Sequence, residues 1–154
     1  MRLPPFQGLL DAHGAEVHRV LVALVGPDEA DDCFQETVLS ALRAYPRLRD
    51  AANLRAWLLT IARRKAIDAA RAGARRPRPM ADPPERPAPE RPDRDPDLWA
   101  DVRRLPPRMR EAVTLRHVAD LPYDAVAATM GCSPEAARRS VHEGLTRLRR
   151  WRSE

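Results

Sequence analysis

Leu121-Pro122-Tyr123-Asp124-Ala125-Val126-Ala127-Ala128-Thr129-Met130-Gly131-Cys132-Ser133-Pro134-Glu135-Ala136-Ala137-Arg138-Arg139 decides how this chain folds. Val126, Ala127 and Met130 recur at helical spacing and can bury one face of a short helix. Gly131 stands where a helix C-terminus needs a residue tolerant of positive φ. Ser133 then suits an N-cap and Pro134 the first position of a second helix. Along that helix Ala137, Val141, Leu145 and Leu148 form an apolar stripe. Arg138, Arg139 and His142 fall off the stripe and face outward. A helix, a tight turn and a second helix with basic residues on its first exposed turns is the layout of a helix-turn-helix, whose second helix enters the major groove. The competing reading is an ordinary helical hairpin with a solvated basic face.

Composition is compatible with DNA as a partner. The formal net charge is +5, and Lys65 is the single lysine among the 27 basic residues. Arginine forks bind phosphates and guanine edges, although a GC-rich genome would also enrich arginine, alanine and proline. Cys33 and Cys132 lie far apart, so they make neither a disulfide framework nor a zinc site, and a reduced cytoplasmic setting is expected. The aliphatic run Val20 to Val25 is too short to span a bilayer. The N-terminus lacks a signal-peptide core.

Residues 74–97 differ from both flanks. They hold eight of the sixteen prolines and equal numbers of arginines and acids. Such a stretch is expected to be an extended, semi-stiff linker. It divides the chain into residues 1–73, with ten basic and nine acidic residues, and residues 98–154, with eleven against seven. The basic surplus therefore lies mainly with the helix-turn-helix. The expected fold is all-α: two small helical domains joined by a proline-rich linker.

Three helices are predicted in the first part. One runs from Gly8 to Val25 on Leu9, Leu10, Val17, Val20, Leu21 and Leu24. A second runs from Asp28 to Ala44 on Ala30, Phe34, Val38, Ala41 and Tyr45, with acids at its positive N-terminal end. A third runs from Leu54 to about Arg71 on Leu54, Trp57, Leu58 and Ile61. In the last part, a short helix from Leu98 to Leu105 and another from Pro107 to Val118 precede the helix-turn-helix.

Two polar clusters stand out in the first part. Asp32, Gln35 and Glu36 share one helix face opposite Phe34 and Val38. Arg63, Arg64, Lys65, Arg71, Arg75, Arg76 and Arg78 gather positive charge against Asp68 alone, a density suited to phosphate contacts. A solvated acidic face and a basic helix end favoured by the dipole are the plainer readings. His13 and His18 miss the i, i+4 spacing of a helical metal pair. His117 and His142 lie on separate helices without partner ligands. No glycine-rich phosphate loop or nucleophile motif is visible, so the sequence argues against an enzyme and calls for no cofactor, metal or catalytic residue.

The run Glu29-Ala30-Asp31-Asp32-Cys33-Phe34-Gln35-Glu36-Thr37-Val38-Leu39, then Ala56-Trp57-Leu58-Leu59-Thr60-Ile61-Ala62-Arg63 and Ala66-Ile67-Asp68, resembles the promoter-melting domain of bacterial sigma-70-family factors, closest to the two-domain extracytoplasmic-function group. Leu105-Pro106-Pro107-Arg108-Met109-Arg110-Glu111-Ala112-Val113 and Leu121-Pro122-Tyr123 resemble that group's minus-35-binding domain. The resemblance covers most of the chain, leaving out the linker and the extreme ends.

The resemblance implies a set of roles. Asp32, Gln35 and Glu36 would bind the clamp helices of the largest subunit of core RNA polymerase, while the last domain would meet the flap. The loop Arg47 to Asn53, with Arg47, Arg49, Asp50 and Asn53, would hold a flipped base of the minus-10 element, since an unstacked base exposes its full edge. Arg63, Arg64 and Lys65 would touch the backbone of promoter DNA there. Arg138, Arg139, Ser140, His142 and Arg147 would serve the minus-35 element. An anti-sigma factor is an implied partner, and membrane insertion is not expected. The family often has asparagine at the position of Arg64, and arginine where Ser140 and Glu143 stand. Glu143 would repel phosphate but could accept from a cytosine amino group, and Gly144 is expected to cost its helix about 1 kcal/mol relative to alanine. The alternative function is a stand-alone helix-turn-helix regulator that binds duplex DNA without polymerase.

Overall fold

A computed structural model describes residues 3–75 and 95–154. Among the described residues the regular structure is entirely helical. The first half holds α1 (Phe6–Val25), α2 (Pro27–Ala44), a short 3-10 turn (Tyr45–Arg47) and α3 (Leu54–Arg75). Gly26 separates α1 from α2 at φ 90°, a value side chains disfavour, and its N–H donates to the Val22 carbonyl. Pro27 then opens α2, where its missing N–H costs nothing.

The buried faces differ in part from the expected stripes. In α1, Leu9, Val17, Val20, Leu21 and Leu24 point inward as their spacing requires, while Leu10 is half-buried. In α2 the innermost line is Ala30, Cys33, Thr37 and Ala41, with Phe34 and Val38 at its edge. Thr37 is tolerated there because its hydroxyl donates to the Cys33 carbonyl at 2.7 Å. In α3, Leu58, Leu59, Ala62 and Ala66 are buried, and Leu54, Trp57 and Ile61 flank them. That face is rotated because α3 is covered from two sides, by α1 and α2 and by a helix of the second half.

Helix α3 runs on to Arg75, and α4 (Pro96–Arg104) begins before Leu98, so both ends of the stretch read as a linker are helical. Asp95 caps α4, its carboxylate accepting from the N–H groups of Asp97 and Leu98. The rest of that stretch, with Arg76, Arg78 and the side chain of Arg75, lies outside the described residues.

The second half continues with α5 (Pro107–Val113), a wider π-helical turn (Thr114–Val118), α6 (Tyr123–Met130) and α7 (Pro134–Ser153). The helix expected from Pro107 to Val118 therefore changes pitch at Thr114. The wider turn points Thr114 and Leu115, neighbours in sequence, both into the interior. Between α6 and α7, Gly131 is left-handed at φ 69°. The Cys132 N–H returns to the Ala127 carbonyl at 3.0 Å, the six-to-one bond of a Schellman stop. Ser133 caps α7 by accepting from the Ala136 N–H at 3.1 Å, and Pro134 follows.

Gly144 has a reason in packing. It is buried, and a Cβ there would stand 2.7 Å from Val113 Cγ2 on α5. The glycine lets α5 and α7 approach closely, which offsets its poor helix propensity.

The two halves share one apolar core. Residues of α1 and α3 join Ala112, Leu115, Ala119, Leu121, Val126 and Met130 in a continuous cluster. Charged side chains tie the same boundary. Arg63 Nε on α3 donates to Glu111 Oε2 on α5 at 2.8 Å, with 18% and 10% of the two side chains exposed. Arg55 grips Glu16 of α1 with both Nε and Nη2, and Nη2 also reaches the Ala119 carbonyl. Arg110 reaches across to the Leu24 carbonyl at 3.4 Å, and burial lowers its pKa.

Two outcomes follow from this packing. Gly144→Ala should lower stability by about 1–3 kcal/mol through overpacking against Val113, read as a reduced urea midpoint, although alanine is the better helix former. Glu111→Ala would leave the Arg63 guanidinium largely buried and unpaired. It should cost between the surface and buried limits for ion pairs, about 1–3 kcal/mol. Small-angle scattering should then show a radius of gyration above the value of about 15 Å expected of a compact chain of this length.

Candidate nucleic-acid interface

The outward face of α7 carries Arg138, Arg139, His142, Glu143 and Arg147, all exposed. Their spacing follows from the buried line Ala137, Val141, Gly144 and Leu148, which anchors the helix to α5 and α6. Ser140 differs from its neighbours. It borders that buried line and is half-buried. Glu143 projects among the arginines and tempers their charge.

Two residues that sequence reasoning left without a DNA role join this face. The Arg138 guanidinium carbon lies 5.3 Å from the centre of the Tyr123 ring, and that of Arg116 lies 4.8 Å from it. The signal in the sequence was the aromatic residue opening α6. Its meaning depends on Arg116 and Arg138, which come from different elements.

In the first half, Arg47, Arg49 and Asp50 sit exposed after the 3-10 turn. Asp50 Oδ1 accepts from the Ala52 N–H at 2.8 Å, and Asn53 Oδ1 accepts from the Ala56 N–H at 3.1 Å. Both side chains thus shape the loop, and Asn53 serves as the N-cap of α3. Trp57 packs behind the loop, its ring 6.1 Å from Tyr45, which in turn meets Phe6.

The basic cluster of α3 splits. Arg64 is exposed and Lys65 half-buried, whereas Arg63 turns inward to Glu111 and to the Thr129 carbonyl. Among the described residues, Arg47, Arg49, Arg64, Lys65, Arg138, Arg139 and Arg147 take part in no ion pair. At the boundary between halves Arg55 and Arg63 are paired with carboxylates, whereas Arg110 finds only backbone carbonyls.

On α2, Asp32, Gln35 and Glu36 lie together and exposed. Leu39 and Leu42 extend this face with 51% and 49% exposure, the large hydrophobics left most open to solvent among the described residues. Sequence periodicity did not single them out, because a leucine next to a buried stripe reads as part of the core. An acidic and apolar strip of this kind fits a protein partner.

The remaining candidates for chemistry have structural surroundings. His18 Nε2 lies 2.8 Å from Asp31 Oδ1, and its ring meets Phe34 edge-on. Burial, helped by the charges of Glu29, Glu36 and Asp32, raises the Cys33 thiol pKa. Cys33 therefore holds less of the reactive thiolate at neutral pH than an ordinary thiol does. No helix among the described residues is long and apolar enough to cross a membrane.

Known proteins share both sequence and fold. The family model of sigma-70 region 2 matches residues 9–76, and that of sigma-70 region 4 matches residues 99–148. RNA polymerase sigma factor CarQ of Myxococcus xanthus is 33% identical over 153 residues, spanning 94% of this chain and 87% of that protein. The ECF RNA polymerase sigma factor ShbA of Streptomyces griseus is 33% identical over 133 residues, 77% of this chain and 69% of its own length. The sigma factor RpoE from Bartonella quintana, solved in complex with the anti-sigma factor NepR, superposes with a TM-score of 0.80. It is 23% identical and covered to 96% on both sides, so it shares the fold. With region 2 and region 4 in order and relatives of this length and identity, the chain belongs to the sigma-70 family of RNA polymerase sigma factors, in the extracytoplasmic-function group.

Proposed function

We propose that this sigma factor works as a two-point promoter clamp, with each half holding one promoter element while α2 is docked on core polymerase. Residues 1–73 would act at the minus-10 element, residues 98–154 at the minus-35 element, and residues 74–97 would join them. The observation that carries the reading is the division of charge. Among the described residues the outward cations assigned to DNA lack acidic partners, while Arg55 and Arg63 at the boundary between halves have them. Unpaired arginines are free to displace counterions from phosphates.

In this reading Asp32, Gln35 and Glu36 orient α2 on the clamp helices, and Leu39 and Leu42 supply the apolar contact. Arg47 and Arg49 flank the captured minus-10 base, and Asp50 and Asn53 hold the loop in shape. Arg64 and Lys65 contact its backbone, and Arg63 joins them only when Glu111 lets go. Arg139 and His142 read base edges of the minus-35 element, Ser140 stands at the edge of that contact, and Arg147 supports it from the backbone. The chain contributes recognition and positioning, and polymerase contributes the chemistry.

The closed form cannot do this work. Elements about 25 base pairs apart are separated by roughly 85 Å of duplex at ~3.4 Å per pair. A compact chain with a radius of gyration of ~15 Å does not reach that far. Opening at the Arg63–Glu111 boundary is therefore part of the proposal, as is release of the flap-facing surface of the second half. The closed form is also the one an anti-sigma factor would capture, by covering the α2 strip and holding Arg63 inside.

Run-off transcription with purified core polymerase tests the reading. The chain should direct initiation at a cognate promoter and bind the same duplex weakly when alone. Tight duplex binding without any association with polymerase would instead make it a stand-alone regulator. Leu39→Ala should weaken binding to core polymerase by roughly tenfold, a loss above the ~1 kcal/mol that marks the energetically significant minority of interface residues, measured by titration of labelled chain.

A further inference from the structure

Arg116, Tyr123 and Arg138 come from three elements and meet at one point on the surface. Arg116 belongs to the π-helical turn, Tyr123 opens α6, and Arg138 lies on the second turn of α7. Both guanidinium carbons stand about 5 Å from the same ring centre, at 4.8 Å and 5.3 Å. Arg116 is held further by Nη1, which donates to the Leu121 carbonyl at 2.9 Å.

Two like charges on one ring repel each other. The ring face attracts each cation by about 0.5–1 kcal/mol at an exposed site. Among the described residues neither arginine has a carboxylate partner. Both guanidiniums are therefore available to an anion.

Position identifies that anion. In a helix-turn-helix the first helix of the motif crosses the sugar-phosphate backbone, while the second lies in the groove. Tyr123 stands at the start of that first helix. Arg138 leans from the groove helix back toward it, as helical side chains lean toward their own N-terminus. Its guanidinium is thus drawn away from the base edges that Arg139 and His142 face.

We infer that Arg116, Tyr123 and Arg138 form a clamp for a single DNA backbone phosphate beside the minus-35 element. Tyr123 is the positioning residue that spaces the two guanidiniums, and Arg138 anchors register without reading sequence. The inference rests on the sigma reading. It moves Arg138 from base recognition to backbone anchoring and adds Arg116 and Tyr123, which had no DNA role.

The test uses full-length chain with core polymerase on a cognate promoter and on one with a substituted minus-35 element, across a salt series. Arg116→Ala and Arg138→Ala should each weaken open-complex formation about tenfold on both promoters, the loss of one charged hydrogen-bonding contact. Each should also flatten the log–log salt slope by about one. Arg139→Ala should cost far more on the cognate promoter than on the substituted one. Tyr123→Phe keeps the ring and should match the wild type, while Tyr123→Ala should lose as much as either arginine variant when assayed below its melting transition. If Arg138→Ala abolishes the preference between the two promoters, or leaves the salt slope unchanged, the clamp is wrong and Arg138 reads bases. If Tyr123→Ala equals the wild type, the ring does not position the arginines. Failure of the wild-type chain to direct initiation would overturn the sigma reading itself, separately from the clamp.

Discussion

Arg63 and Glu111 meet across the boundary between the halves, and the closed form depends on that ion pair. It lies over an apolar core that α1 and α3 share with α5, α6 and the π-helical turn. Burying apolar surface supplies most of the attraction, at roughly 25 cal/mol per Å². That attraction has no direction. The Arg63–Glu111 pair and the Arg55 grip on Glu16 and the Ala119 carbonyl give the boundary its register, because a largely buried charge tolerates only its own partner.

The same boundary links folding to function. The family resemblance would place Arg63 on the DNA-facing surface, yet here it serves the interior. A residue with two partners in two arrangements biases the equilibrium between them by the difference in its interactions. Core polymerase and DNA would then have to offer α2 and the basic faces more than the closed core offers. Small helical units with modest cores suit such an exchange, because the free energies on both sides are of similar size.

Much of this was legible in the residues themselves. The helix-turn-helix followed from Gly131, Ser133 and Pro134, since positive φ, capping and a missing N–H are local requirements. The exposure of Asp32, Gln35 and Glu36 followed from helical spacing. The innermost faces of α2 and α3 were less legible. Thr37 is buried because a local hydrogen bond satisfies its hydroxyl, and α3 turns because it is covered from two sides. The exposure of Leu39 and Leu42 could not be read from periodicity, because only the packed neighbours decide which side of an apolar stripe is left uncovered.

By itself, the sequence determined the helices, the stop at Gly131, the order of the two halves and the chemistry of their faces, because these depend on residues within a few positions of each other. Tertiary structure decided what distant residues do together. It turned Gly144 from a weak point of a helix into a close contact with Val113, and Arg63 from a surface cation into half of an interior pair. It also brought Arg116 and Arg138 to one tyrosine ring. Each of these rests on a distance across separate elements, and such distances exist only once the helices have packed.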